Sequence, residues 1–252
     1  MSPASCTPRP FMSSENLRRF LVFGFQFSEV NFVSAENRKL FLAVLCLAEL
    51  AVKLPDSHAE VDASMRPEVS PMKILDIGCG THKTPGAVGL DSNPRTDADV
   101  IHDLNRVPYP FPDNSFDLII ANQVIEHVDD VLAVVAELYR IARPGALIRL
   151  DTPHYSDIAS YTDPTHKHHL TTESFAYFTG GRPDFAFYSQ VRLRPRLIRV
   201  TMLKLWRSLG FELLVNSCNR YPSLRFIRKF WEQYLCFVIR GKTIYFEFEV
   251  LK

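Results

Sequence analysis

The chain has 252 residues, 46% of them hydrophobic and 23% charged, and a formal net charge of +1. That length supports one sizeable core with an appendage, and the balance is that of a soluble globular protein, excluding a wholly disordered or polyelectrolyte chain. The near-neutral total hides an asymmetry: from Arg182 onward there are about 14 Lys and Arg against 5 Asp and Glu, so the C-terminal third is basic and the remainder acidic.

Cys6, Cys46, Cys79, Cys218 and Cys236 are scattered and include no C-x-x-C pair. Neither a disulfide framework nor a zinc knuckle is indicated, and a reducing, cytoplasmic setting is the default expectation. The most apolar stretch, Leu40 to Val52, runs for about 13 residues and carries Glu49, too short to span a bilayer.

In chain order, the first ten residues are rich in Pro and Ser and read as disordered. Asn16 to Phe27 fits a short helix or strand. Ser34 and Asn37 can cap a helix running to about Leu54, with Leu40, Phe41, Val44, Leu45, Ala48 and Val52 on one face. Pro55 to Pro71 reads as a linker, which makes residues 1–71 an N-terminal extension and 72–252 the main domain.

From Met72 the pattern alternates strands and helices. Ile74, Leu75 and Ile77 mark a buried strand, and Gly78 and Gly80 turn the backbone tightly after it. Asp91 ends a second strand, Asp99 to His102 forms a short third, Phe116 to Ala121 a buried fourth and Ala146 to Asp151 a fifth. Asp129 to Ile141 is an amphipathic helix, opened by Asp129 and Asp130 and ended by Pro144 and Gly145. Beyond them the spacing predicts a helix over Leu197 to Leu209 ended by Gly210, a strand over Phe211 to Val215, and a strand over Thr243 to Leu251. Such alternation implies a parallel sheet that binds ligands at the carboxyl ends of its strands.

A strand feeding a Gly-rich turn suggests a nucleotide-like ligand, but only eleven positions separate Gly80 from Asp91. No full helix and loop fit there, which argues against a nicotinamide dinucleotide. The run LDIGCGTHKTPGAVGLD, then HDLNRVPYPFPDNSFDLIIANQVIEHVDD, then LYRIARPGALIRLDTPHYS and DPTHKHHLTTESFAYF, resembles the class I S-adenosylmethionine-dependent methyltransferases. More narrowly it is similar to an uncharacterised group with a shortened GCG loop and a DPTH segment. The match is close over about Met72 to Gly181.

The resemblance implies an α/β, Rossmann-like fold: a mostly parallel seven-stranded sheet with helices on both faces, plus a helical N-terminal extension that serves as a lid or only as a packing helix. It implies S-adenosylmethionine as cofactor. By position, Gly78, Cys79 and Gly80 form the cofactor turn, and Asp91 takes the ribose hydroxyls. Asp103 and Leu104 meet the adenine, while Asp76 and Asn122 hold the amino-acid end.

Four of the eight histidines, His154, His166, His168 and His169, lie between Pro153 and Thr171, where an acceptor would approach. His154 is the first candidate for a general base, followed by His166 and Asp163, and His127 of the IEHV run could line the same pocket. The bland alternative is a structural turn in DPTH with Asp163 bonding backbone N–H groups. A metal held by His166, His168 and Asp163 is the weaker reading, and no metal ligand set is assigned.

The expected activity is methyl transfer to a small-molecule acceptor, at oxygen first and nitrogen next, the acceptor being an anion if the basic third shapes its pocket. Arg192, Arg194 and Arg196 alternate on one side of an extended segment; they suit an anionic substrate, an acidic partner or RNA, or else a solvated sheet edge. A nucleic-acid or protein methyltransferase, and a non-catalytic interaction module with the same fold, therefore stand as alternatives.

Overall fold

The computed structural model describes residues 72–180 and 188–252. The chain divides into two units, Met1–Glu68 and Val69–Lys252, and the described residues belong to the second. The expected N-terminal helix and linker lie outside the described residues, as does Arg182.

Seven strands form one sheet: β1 (Ile74–Ile77), β2 (Ala87–Asp91), β3 (Val100–Ile101), β4 (Phe116–Asn122), β5 (Ala142–Pro153), β6 (Leu193–Met202) and β7 (Gly241–Val250). Their spatial order is β3-β2-β1-β4-β5-β7-β6. The first five pair in parallel, and β7 runs antiparallel between β5 and β6. This is the Rossmann-like architecture expected, with a reversed strand inserted before the edge.

Helix α1 (Val131–Ile141) follows β4, and a single turn, α2 (Ala159–Thr162), follows β5. Asp130 caps α1, accepting the backbone N–H groups of Leu132 and Ala133, and Val134, Val135, Leu138 and Ile141 bury its inner face. In β7, Ile244, Phe246, Phe248 and Val250 alternate into the core, where Phe175 packs on Phe246 and Phe248. Period-two patterning of this kind is the signature of a strand with one face in the core.

The expected helix over Leu197 to Leu209 is corrected: its first part is strand β6, and only α3 (Lys204–Ser208) is helical. Pairing with β7 from Leu193↔Val250 to Met202↔Gly241 overrides the local helical spacing. The expected strand over Phe211 to Val215 is instead α4 (Phe211–Asn216), entered through Gly210 in the left-handed region. Glu212 and Asn216, one helical turn apart, both bond the backbone of β6: Glu212 accepts Met202 N–H, while Asn216 accepts Val200 N–H and donates to its carbonyl. A strand would place residues four apart too far from each other to make those contacts.

Arg194 and Arg196 both pair with Glu249, and Arg199 pairs with Glu212. Helix α5 (Arg225–Phe230) sends Arg228 inward, where it donates to the carbonyls of Ile198 and Val215 and to the side chains of Asn216 and Asn219. Burial holds its guanidinium below its ordinary pKa. Among the described residues no helix is long and apolar enough to cross a membrane.

Arg228 is thus the tie between β6, α4 and α5. Arg228→Ala strips hydrogen bonds from buried acceptors and should cost about 1–3 kcal/mol of stability, read from urea unfolding. An unchanged unfolding midpoint would contradict this role.

Candidate functional site

The carboxyl ends of β1 and β2 meet at Gly78 to Gly80. Gly78 has φ 61°, and a Cβ there would lie 2.4 Å from a methyl carbon of Val124, so the turn is both left-handed and closely packed. Gly78 N–H donates to the Leu90 carbonyl at 2.7 Å. No helix separates β1 from β2, as the eleven-position spacing requires.

Two carboxylates brace this corner. Asp76, 3% exposed, accepts Thr84 N–H at 2.7 Å and closes the loop that replaces the helix. Asp91 accepts Gly80 N–H at 3.0 Å through one oxygen and Asn93 N–H at 2.8 Å through the other. The buried Cys79 thiol is pushed above its ordinary pKa by burial and by Asp76 and Asp91, which keeps it neutral. The structure therefore gathers Asp76, Gly78, Cys79, Gly80 and Asp91 at one corner.

Asp103 accepts Asn105 N–H at 3.0 Å and so braces its own turn after β3. Leu104 is half-buried against the core, and its carbonyl accepts the Tyr109 hydroxyl. Asn122 is exposed and lines a hollow of about 440 Å³ with Asp151, Arg149, Tyr245 and Arg199, a set that includes neither Asp76 nor Asp91.

His154, the first candidate for a base, is fully buried between the rings of Tyr155 and Trp231. Its Nδ1 accepts Ser156 N–H at 3.1 Å, so Nε2 carries the hydrogen and donates to Glu232 at 3.2 Å. Both ring nitrogens of His154 are thus engaged within the chain and the side chain has no solvent exposure, the surroundings of a structural histidine. Glu232 sits in a π-helical turn, Trp231–Leu235, and also accepts the N–H and hydroxyl of Thr172. Burial pushes its carboxyl up, but the His154 and Thr172 bonds outweigh burial and hold it below the usual range.

The remaining candidates do converge. Lys167 and His168 both donate backbone N–H to the Glu126 carbonyl, at 2.8 and 3.1 Å, which fastens the DPTH segment onto the loop after β4. His127 and His166 thereby meet edge to face, ring centroids 4.6 Å apart. Asp163 accepts the N–H and hydroxyl of Thr165, bonds that lower its pKa, and its other oxygen lies 3.9 Å from His166 Nε2. Asp163 thus makes the turn bonds of the bland reading while standing beside a candidate base. His168 turns away and donates to the Val128 carbonyl at 2.9 Å.

Glu126 lies next to His127 on the loop after β4. It is fully buried, and neither of its carboxylate oxygens has a hydrogen-bond partner; the Thr152 hydroxyl beside it is also unpaired. Burial raises its pKa; its own backbone N–H and the Thr152 hydroxyl stand near enough to oppose that rise without meeting hydrogen-bond geometry, and His166 opposes it by charge. Ligand atoms of Glu126, His127 and His166 all lie within 4.8 Å of one another. The adjacency of Glu and His in IEHV was visible in the sequence, but nothing local signalled that His166, 39 positions from His127, would close on them.

Against known proteins, a family model described as a methyltransferase domain matches residues 59–234. A Mycolicibacterium smegmatis protein named as a probable S-adenosylmethionine-dependent methyltransferase is 32% identical over 97 residues, 32% of this chain and 38% of the relative. Ajmaline N-methyltransferase of Rauvolfia serpentina is 27% identical over 144 residues, 48% of this chain and 45% of the relative. The chain spans less than half the length of the curated relatives it matches. Among solved structures, an S-adenosylmethionine-dependent methyltransferase from Mesorhizobium loti aligns with TM-score 0.42 and 16% identity, covering 74% of this chain and 94% of that one.

The satisfied network around Glu232 predicts an acid limit. A depressed carboxyl contributes stability that is complete above its unfolded value of about 4.3 and lost as pH falls through the lower folded value. Stability measured by urea unfolding should therefore fall steeply below about pH 4, and Glu232→Gln should flatten that fall. Parallel curves for the two proteins would place the acid sensitivity elsewhere.

Proposed function

We propose that this chain, which belongs to the methyltransferase-domain family, binds S-adenosylmethionine at the carboxyl ends of β1 to β3 and passes its methyl group to a small-molecule acceptor. The observation that carries this reading is the braced Asp91 at the end of β2, tied to the Gly80 turn of β1. Each carboxylate oxygen has two acceptor positions, and only one on each is taken by backbone, so two remain for neighbouring ribose hydroxyls.

The same corner supplies the other contacts. Asp76 offers a negative charge to the cofactor's ammonium, and the glycines of the turn let backbone approach its amino-acid end. Asp103 and Leu104 would meet the adenine by amino group and ring face, with Asn122 completing the amino-acid end. The cofactor's sulfonium activates the methyl group; these residues bind and align it, and alignment alone can supply roughly 7–11 kcal/mol.

A hydroxyl acceptor has to lose its proton as its oxygen bonds the methyl carbon and the carbon–sulfur bond breaks toward sulfur. His127 and His166, whose rings meet at 4.6 Å, would receive that proton, with Asp163 beside His166 to stabilise its charged form. Oxygen is accordingly the preferred acceptor atom. The nucleic-acid reading draws less support, because Arg194, Arg196 and Arg199 are already offset by Glu249 and Glu212.

Calorimetric binding of S-adenosylmethionine and of its demethylated product tests the proposal. Both should bind, and Asp91→Ala should weaken binding by about 1.5–3 kcal/mol, roughly 10- to 150-fold. Absence of binding in the wild-type chain would sink it.

A further inference from the structure

We propose that Glu126, His127 and His166 bind a divalent transition-metal ion. Three independent observations converge on it. Glu126 is a fully buried carboxyl group whose two oxygens lack hydrogen-bond partners. Buried polar groups are almost always paired, and a buried carboxylate is tolerated when it meets a counter-charge or a metal.

The ligand atoms of the three residues are already within 4.8 Å of one another. Around an ion with bonds of about 2.0–2.2 Å, tetrahedral neighbours stand about 3.3 Å apart. Small side-chain rotations close that difference. Two imidazoles and one carboxylate form a donor set suited to zinc and its neighbours, and three protein ligands leave a position free.

The proton positions on the two histidines fit as well. His166 Nδ1 lies 3.1 Å from the Ser160 carbonyl, and His127 Nδ1 lies 3.3 Å from the Thr165 carbonyl and 2.9 Å from its hydroxyl. The Thr165 hydroxyl spends its hydrogen on Asp163 at 2.6 Å. Carbonyls only accept, so both Nδ1 atoms carry hydrogen and both Nε2 atoms keep a lone pair. Metal-binding histidines are oriented in this way, by donating the other ring N–H to a backbone or side-chain oxygen.

The role of the ion rests on the methyl-transfer reading; its binding does not. At the free position it would hold the acceptor's oxygen and lower its pKa, so that the hydroxyl gives its proton to solvent and the oxygen then bonds the methyl carbon as the carbon–sulfur bond breaks toward sulfur. His127 and His166 then serve as ligands, and the ion takes over the activation assigned to them when the site is empty.

The test uses the full chain, stripped with a chelator and titrated with Zn²⁺ by calorimetry and with Co²⁺ by visible absorption, without S-adenosylmethionine. One ion per chain is expected, with the Co²⁺ spectrum of a four- or five-coordinate site. Glu126→Gln and His166→Ala should each weaken binding about 10-fold or more, while His82→Ala, a histidine of the β1–β2 loop, leaves it unchanged. The Gln variant keeps the size of the buried side chain, and circular dichroism confirms its fold. No binding by the wild-type chain, or equal binding by wild type and Glu126→Gln, overturns the proposal and leaves Glu126 a neutral buried acid. Because S-adenosylmethionine binding is measured separately through Asp91, loss of the cofactor reading and loss of the metal reading give different results.

Discussion

The close approach of Gly78 to Val124 is the constraint on which the site depends. Without a side chain at Gly78 the β1 turn lies directly on the loop after β4, and a methyl group there would collide with Val124. Val124 in turn accepts His127 N–H at 3.0 Å through its carbonyl, and the Glu126 carbonyl next to it holds the backbone of Lys167 and His168. A single run of contacts therefore links the Asp76–Asp91 corner to the histidine cluster. The same four residues, Val124 to His127, position both halves of the proposed site.

Two buried polar groups, Glu232 and Glu126, show how the fold separates structure from chemistry. Both oxygens of Glu232 are bonded, by His154 and Thr172, and around it Ser156 accepts Gly241 N–H while Trp231 donates to the Ile239 carbonyl. Each of these side chains is paired, so the network rigidifies the junction of β5 and β7. Glu126 and Thr152 are equally buried but unpaired. That contrast, one carboxyl paired at both oxygens and the other at neither, is what the proposed metal site rests on.

The parallel half of the sheet was legible because its signals are local. Ile74 to Ile77, Asp91, Phe116 to Ala121 and the Asp130-capped helix all fall where pattern and capping put them. The C-terminal third was misread where tertiary partners decide. LRPRLIRVTM is a strand because β7 is beside it, and FELLVN is a helix because Glu212 and Asn216 must reach β6 together. The same limit applies to the site. His154 follows a strand end as a catalytic residue would, yet Ser156, two positions on, and Glu232, far along the chain, consume both its nitrogens. Glu126 beside His127 is plain in the sequence, but its lack of a partner is a property of the folded neighbourhood.

The reversed strand β7 also governs how the sheet is assembled. Its residues complete β5 through partners such as Arg149 and Glu247, which are 98 positions apart. Until they arrive, the twelve-residue β5 presents a bare row of backbone donors and acceptors alongside an otherwise finished parallel half. Closing so long a loop is entropically slow, and an unpaired inner strand is the place where growing chains associate wrongly. Production of this protein should therefore be governed by the time between synthesis of β5 and capture of β7, which makes slow translation and low temperature ways of changing yield without changing any contact in the finished fold.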